Sequence, residues 1–468
     1  MQSKLLQQEY FNKLAKERLR WKKRNNYYHR LLEKYFGFFI PKNSKVIELG
    51  CGTGELLDCV QPLQGVGIDF SENMVGIASK NFPKYKFINC DVENITLDEK
   101  FDYVIISDLL TSLWDVEEAF HELNKICHKN TKVIISTYNS LWEPILKLAE
   151  FFHFKSKQPL QNWLTVNDIK NLLYLEDFEI VKKENKILFP KRIPIINFLF
   201  NHILANLPII NKLCLVHFII ARPITKISTD YSVSIIIPAR NEKGNIENAL
   251  KRTPQFGKSI EYVFVEGNSK DNTWEEIQRV KEKYNHLSIV ALHQSGKGKG
   301  NAVREGFEAA TGEILMILDA DLTTPPEELP KFYAALASNK GEFINGCRLV
   351  YPMEKQAMRF LNLLGNLFFG AFISYILGQR LKDTLCGTKV LFKKDYETIK
   401  SNRNYFGDFD PFGDFDLIFG AAKLNLKIVE IIVRYKDREY GSTQISRFKH
   451  GLILLQMSLF AAKKIKFL

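Results

Sequence analysis

The sequence has no CxxC pair and no histidine cluster at zinc spacing. Its seven cysteines (Cys51, Cys59, Cys90, Cys127, Cys214, Cys347, Cys386) are scattered, which excludes a zinc ribbon or disulfide framework and predicts free thiols in a reducing compartment. The basic start, MQSKLLQQEYFNKLAKERLRWKKRNNYY, lacks the apolar core of a signal peptide, so the expected location is cytoplasmic. An uninterrupted apolar span of the ~20 residues a membrane crossing needs is also missing. Residues 193–220 are strongly apolar but carry His202, Pro208, Lys212 and His217, and residues 360–377 are uncharged but carry Asn362, Gly365, Asn366 and Gly370. Both segments are expected to form interfacial amphipathic helices rather than spans.

What is present is a chain that buries a core. At 468 residues, 46% hydrophobic, 12% aromatic and 25% charged, it is too apolar for disorder and too long for one ordinary domain. Its net charge of +12 favours an anionic partner: nucleic acid, a phosphorylated small molecule or an acidic membrane surface.

Short apolar runs ending in Gly or Asp alternate with helical stretches in two series. The first covers 45–49, 65–68, 86–90, 101–106 and 132–136; the second covers 233–237, 260–265, 287–292 and 313–318. Continuous apolar strands separated by helices predict parallel sheets covered on both faces, hence two α/β domains meeting near residue 225. The expected division is 1–190, an apolar membrane-facing arm at 191–225, and 226–468.

In the first series, VIELGCGTG at 46–54 is a strand running into a glycine-rich turn, where glycine lets backbone approach a ligand closely. Asp69 ends the next strand, where a carboxylate accepts hydrogen bonds from ribose hydroxyls in a doubly wound fold. Asp91 follows a third strand. The turn reads GxGxG and not the GxGxxG of dinucleotide folds, which argues against a NAD enzyme. The stretch resembles the class I S-adenosylmethionine-dependent methyltransferases, with ELGCGTG as the cofactor signature and GIDFSENM as the ribose strand end. By that resemblance Glu48, Gly50, Gly52 and Gly54 line the methionine side, Asp69 holds ribose, and Cys90, Asp91 and Val92 flank adenine. Thr111-Ser112-Leu113 stands where many relatives carry histidine. Asp108, Tyr138 and Asn139, at strand ends, are better candidates for the reacting end than His121 and His128 on a following helix.

In the second series, SIIIPARNE at 234–242 is an apolar strand ending in a polar turn. It resembles the opening motif of inverting family-2 glycosyltransferases of the GT-A fold, and the resemblance runs in order through most of 231–450. It implies nucleotide-sugar binding by Pro238, Ala239, Arg240, Glu242, Glu266, Lys299, Gly300, Asp319, Ala320 and Asp321. EGNSKDNT at 266–273 opens with Glu-Gly where the family usually has two aspartates, so the base stays open between uracil and guanine. GKGKG at 296–300 is not a P-loop, because no Gly-Lys-Ser/Thr ends it at the required spacing. Asp319 and Asp321, two residues apart at a strand end, suit a hard divalent cation, Mg²⁺ or Mn²⁺, that neutralises a leaving diphosphate. Arg348, Arg359 and Arg438 follow the order seen in dolichyl-phosphate mannose synthases, where arginines gather donor diphosphate and lipid phosphate. A guanidinium's planar fork suits phosphate. GDFDPFGDFD at 407–416 offers Asp414 and Asp416 either as general base for a sugar hydroxyl or as orienters of backbone and arginines.

The expected fold is therefore α/β: a Rossmann-like methyltransferase domain, then a GT-A domain, with interfacial amphipathic helices. The expected cofactors are S-adenosylmethionine and Mg²⁺ or Mn²⁺. The expected partners are a nucleotide-diphosphate sugar, a polyprenyl phosphate or a glycan acceptor, and the anionic inner face of the cell membrane, held peripherally. A nucleic-acid partner is not expected, because the basic residues are dispersed between 13–30 and 434–466 with no RNA-binding motif.

Overall fold

The computed structural model describes residues 2–156, 161–225, 229–350, 360–405, 413–436, 438, 440 and 447–467. The chain divides into two compact units, 1–225 and 226–466. Each is an α/β sandwich built on a seven-stranded mixed sheet.

The first unit opens with two helices, α1 (Gln2–Arg24) and α2 (Asn26–Phe39). Its strands are β1 (Lys45–Leu49), β2 (Gln64–Asp69), β3 (Lys86–Asn89), β4 (Phe101–Ser107), β5 (Cys127–Tyr138), β6 (Phe178–Lys186) and β7 (Val216–Pro223). They lie in the order β3-β2-β1-β4-β5-β7-β6, with β1 to β5 parallel and β7 antiparallel to both neighbours. Leu49, Val104, Val133 and Ile219 are sealed in the core, as expected of strands covered on both faces.

The expected arm at 191–225 is corrected by this topology. The difference lies in its C-terminal part: residues 198–213 contain short helical turns with Phe198, Ile209 and Leu213 exposed, whereas 216–223 enter the sheet as β7, buried along its whole length between β5 and β6. Within β7 apolar side chains lie on both faces because both faces of this strand are covered. Phe36, Phe39 and Tyr35 of α2 pack their rings on Phe218, with centroids 5.4–5.5 Å away.

In the second unit, β8 (Ser232–Ala239), β9 (Ser259–Glu266), β10 (Ser288–His293), β11 (Ile314–Ile317), β12 (Phe343–Cys347), β13 (Lys389–Phe392) and β14 (Ile428–Ile432) are ordered β10-β9-β8-β11-β13-β12-β14. β13 runs antiparallel to β11 and β12. The helix Lys299–Ala309 lies on the sheet through Gly306, where a Cβ would meet Ile236 Cγ2 at 2.5 Å. Residues 360–377 form a single helix with Ile373, Ile376 and Leu377 buried and Leu367 and Phe368 exposed. Among the described residues no helix is long and apolar enough to cross a membrane.

Candidate functional site

Both sheets reverse strand order beside their first strand, between β1 and β4 and between β8 and β11. That is where open α/β sheets bind ligands. In the first unit, Gly50, Gly52 and Gly54 follow β1 with φ of +69°, +53° and +84°, the left-handed region that glycine tolerates. The amide of Gly52 donates to Asp69 Oδ2 at 2.9 Å, and Ser71 N donates to Oδ1 at 2.9 Å. Burial raises the Asp69 carboxyl above its ordinary range, against these bonds.

A cavity of about 330 Å³ opens over this turn. Gly50, Gly52, Asp69, Asp91 and Val92 line it, as do the reacting-end candidates Asp108 and Tyr138 and the neighbouring Leu109. Glu48 and Gly54 do not. Glu48 lies beneath the turn, its Oε2 accepting from Leu57 N at 3.1 Å, and burial raises its carboxyl to about 8. It pins the turn to the helix Glu55–Val60. Asn139 is also absent from the lining: it donates to the carbonyls of Lys212 and Cys214 and accepts from Leu141 N, which makes it a brace. His121 and His128 pair with Glu176 and Asp102, away from the cavity.

At the reacting end, Asp108, itself at φ +53°, accepts from Tyr28 OH at 2.6 Å and from Ser136 Oγ at 3.0 Å. Burial raises its carboxyl, and burial together with this carboxylate lifts the Tyr28 phenol well above its usual value. His29 also lines the cavity, but burial, with Lys22 and Arg18, lowers it to about 3, so it is a poor proton acceptor.

Helix α1 closes the cavity. Lys4 pairs with Asp91 at 2.6 Å and Glu93 at 2.7 Å, Gln8 donates to the Phe70 carbonyl, Asn12 holds Ser71 and Asn73, and Lys22 pairs with Glu55 at 2.7 Å. Sequence reading missed these residues and Tyr28. Their chain positions precede the glycine-rich turn, and single polar residues on a basic amphipathic helix carry no motif.

In the second unit, Asp319 and Asp321 sit just past β11, each already facing a cation. Lys299 Nζ lies 2.5 Å from Asp319 Oδ1. Burial opposes the charge, but Lys299, with Lys389 and Arg348 beyond it, holds the Asp319 carboxyl below its ordinary range. Arg438 bridges Asp321 Oδ2 at 2.6 Å and Glu242 Oε1 at 3.0 Å, while Thr323 N and Oγ1 donate to Asp321 Oδ1. Burial raises Glu242 to about 7 despite Arg438. Gly387 is packed so closely that a Cβ would collide with Asp319 Oδ2 and lie 2.5 Å from Lys299 Nζ. Pro238 and Ala239 end β8, Ala320 lies buried between the two aspartates, and Gly300 follows Lys299 in its helix. Arg240 is exposed. Glu266, at the end of β9, accepts from Ser269 N at 2.6 Å and meets His293 at 3.1 Å, and His293 stacks on Trp274 with centroids 3.6 Å apart.

Two expected catalytic residues are already ion-paired within the protein. Arg348 is committed to buried Asp383, through Nε at 2.8 Å, Nη2 at 2.9 Å and its own backbone N–H, so its fork is filled by a carboxylate of the scaffold. Asp416 accepts from Arg403 Nε at 2.9 Å and faces Arg304 at 3.4 Å, so it orients arginines. Arg359 and the Asp414 side chain lie outside the described residues.

A two-carboxylate donor set fits Mg²⁺ or Mn²⁺, which keep several ligand positions for water and substrate phosphate. Among the described residues no cluster of three or more His, Cys, Asp or Glu forms a self-sufficient metal cage. The glycine cradle, the Asp69 carboxylate at the cavity wall and a cationic side chain above it likewise fit S-adenosylmethionine.

The folds and sites define two transferase-type α/β domains, one with a nucleoside cradle and one with an acidic strand end facing basic side chains. Residues 20–183 match the family model described as Methyltransferase domain, and residues 234–399 match Glycosyl transferase family 2. The chain joins a methyltransferase domain to a family-2 glycosyltransferase domain.

Among curated relatives, the dolichol-phosphate mannosyltransferase of Pyrococcus furiosus is 33% identical over 175 residues, 36% of this chain and 49% of that protein. The undecaprenyl-phosphate 4-deoxy-4-formamido-L-arabinose transferase of an Enterobacter species is 31% identical over 230 residues, 47% of this chain and 65% of that protein. The chain thus spans 49% and 65% of these relatives' lengths. Among solved structures, a SAM-dependent methyltransferase of Thermotoga maritima, a possible histamine N-methyltransferase, is 17% identical with a TM-score of 0.37 over 46% of this chain and 99% of that one.

Proposed function

We propose that the second unit transfers a sugar, with inversion, from a nucleotide diphosphate to a polyprenyl phosphate, and that the first transfers a methyl group from S-adenosylmethionine to a glycan or lipid acceptor. The observation that carries the first half is the convergence of Asp319, Asp321, Lys299 and Arg438 at the end of β11. A divalent cation held by Asp319 and Asp321 supplies charge neutralisation at the departing diphosphate. Lys299 and Arg438 then stand beside the phosphates, and Glu242, buried and hydrogen-bonded to Asn245, orients Arg438. A lipid phosphate is an anion at neutral pH and attacks without a general base, whereas a sugar hydroxyl needs one. The ion pairs of Asp416 with Arg304 and Arg403 favour the lipid reading, since they commit its carboxylate to two guanidiniums of the protein.

In the first unit, the cofactor supplies a methyl group on a sulfonium leaving group, so holding acceptor and cofactor in line does most of the chemistry. Asp108 and Tyr28, with buried Ser136 bracing Asp108 from behind, form the polar wall that orients the acceptor. Each unit also exposes apolar side chains on helices, Leu141, Ile145 and Phe151 in the first and Leu367, Phe368, Leu452 and Leu459 in the second. With the +12 charge, these support peripheral association with the anionic inner face of the cell membrane.

The test is sugar transfer from UDP- and GDP-sugars to polyprenyl phosphate with Mg²⁺ or Mn²⁺, alongside an oligosaccharide acceptor. Asp321→Ala is expected to abolish turnover, and an undiminished rate in that variant defeats the metal assignment. Mass spectrometry of the products with and without S-adenosylmethionine shows whether both units act on one molecule, through an increment of about one CH₂ unit, as expected when a methyl group replaces hydrogen.

A further inference from the structure

We propose that Arg18 of helix α1 holds the carboxylate at the amino-acid end of S-adenosylmethionine, so that the helix preceding the glycine-rich strand completes the cofactor site. The inference rests on the S-adenosylmethionine reading of the first unit.

Arg18 lines the cavity over the glycine-rich turn. Its Nε is sealed from solvent and has no hydrogen-bond partner, a costly state for a cationic donor unless a ligand fills it. The guanidinium lies directly above Gly52: a Cβ there would sit 2.9 Å from Nε and 3.0 Å from Nη2. Every other basic side chain that α1 brings to this rim has an acidic mate, Lys4 with Asp91 and Glu93, Lys22 with Glu55. The carboxylates beneath Arg18 are occupied by backbone instead, Asp69 by Gly52 N and Ser71 N and Glu48 by Leu57 N.

The chemistry of the ligand then narrows the choice. Adenine and ribose are neutral, and the sulfonium and ammonium groups are cationic and would be repelled. The carboxylate is the one anionic group on the cofactor, and a planar guanidinium binds it through parallel N–H donors. The polar contacts that seat α1 on Phe70, Ser71, Asn73 and Glu55 fix the backbone from which Arg18 projects.

The experiment is calorimetry on the full chain with two probes that differ in this end alone. S-Adenosylhomocysteine carries the amino-acid moiety, and 5′-methylthioadenosine lacks it. Arg18→Met, which keeps the aliphatic stem, is expected to weaken S-adenosylhomocysteine by about 10- to 100-fold, the range for a lost charge-assisted contact. It should change 5′-methylthioadenosine by less than about 2-fold, and Arg18→Lys should recover part of the loss. Arg18→Gln serves the same comparison if the methionine variant does not fold. Equal losses for the two probes, or undiminished S-adenosylhomocysteine affinity, overturns the assignment; the second result would place Arg18 at an anionic acceptor instead. Failure of the wild-type chain to bind either probe defeats the cofactor reading itself, and the inference with it.

Discussion

At Gly52 a backbone angle, a hydrogen bond and a side chain meet. Its φ of +53° costs a residue with a Cβ about 1–2 kcal/mol, its amide secures Asp69, and Arg18 fills the space a Cβ would need. Gly52→Ala is therefore expected to lower S-adenosylhomocysteine affinity at least about 10-fold while leaving sugar transfer unchanged, as calorimetry and a transfer assay would show. Glu48, below the turn, gives a pH signature. Its folded-state pKa is raised to about 8, chiefly by burial, so the folded chain keeps a proton that the unfolded chain has released. Its contribution to stability is whole below the ordinary carboxyl range and is lost as pH rises toward 8. Glu48→Gln, which still accepts from Leu57 N, should flatten the decline in melting temperature of the first unit between pH 6 and 8. An unchanged slope in a thermal scan would place the titration elsewhere.

Among elements, the strands legible in sequence were those with continuous apolar character and a glycine or aspartate at the end. β1 to β5 and β8 to β11 were anticipated on that pattern, with edges moved by a few residues. β6 reads FEIVKKENK, whose lysines and glutamates hide a strand, although Lys182, Glu184 and Lys186 are buried in the fold. β12 and β13 escaped notice because FINGC breaks its apolar run at Asn345 and Gly346, and KVLF runs straight into Lys393, Lys394 and Asp395. β7 was misread because a strand buried on both faces and an apolar helix look alike over eight residues. The turns at 50–54 and 319–321 stood out because closely spaced glycines or aspartates follow an apolar strand. For Arg348 and Asp416 the motif order does not reveal the pairing: Arg348 is held by Asp383, and Asp416 by Arg403 and Arg304, the orienting role left open for it. Phe218 tests the corrected strand: Phe218→Ala should destabilise the first unit by about 3–5 kcal/mol, read from denaturant unfolding, whereas a residue on a surface arm would change it little.

Over the whole molecule, one arrangement occurs twice. β1 is flanked by β2 and β4, β8 by β9 and β11, and each crevice receives a turn carrying residues proposed to face a ligand. The net charge of +12 suits the anionic groups both units are proposed to bind: a carboxylate in the first, phosphates in the second. The order β5-β7-β6 has a further consequence for synthesis. β6 pairs only with β7, and β7 is the last strand of its unit to leave the ribosome. Until residue 223 has emerged, β6 has no partner and β5 presents a bare hydrogen-bonding edge, the template on which strands of separate chains associate. A fragment ending at residue 190 should therefore aggregate, while one ending at 225 should remain monomeric and bind S-adenosylhomocysteine, a contrast that size-exclusion chromatography would display. The methyltransferase unit is completed only at the point where the glycosyltransferase unit begins to be made.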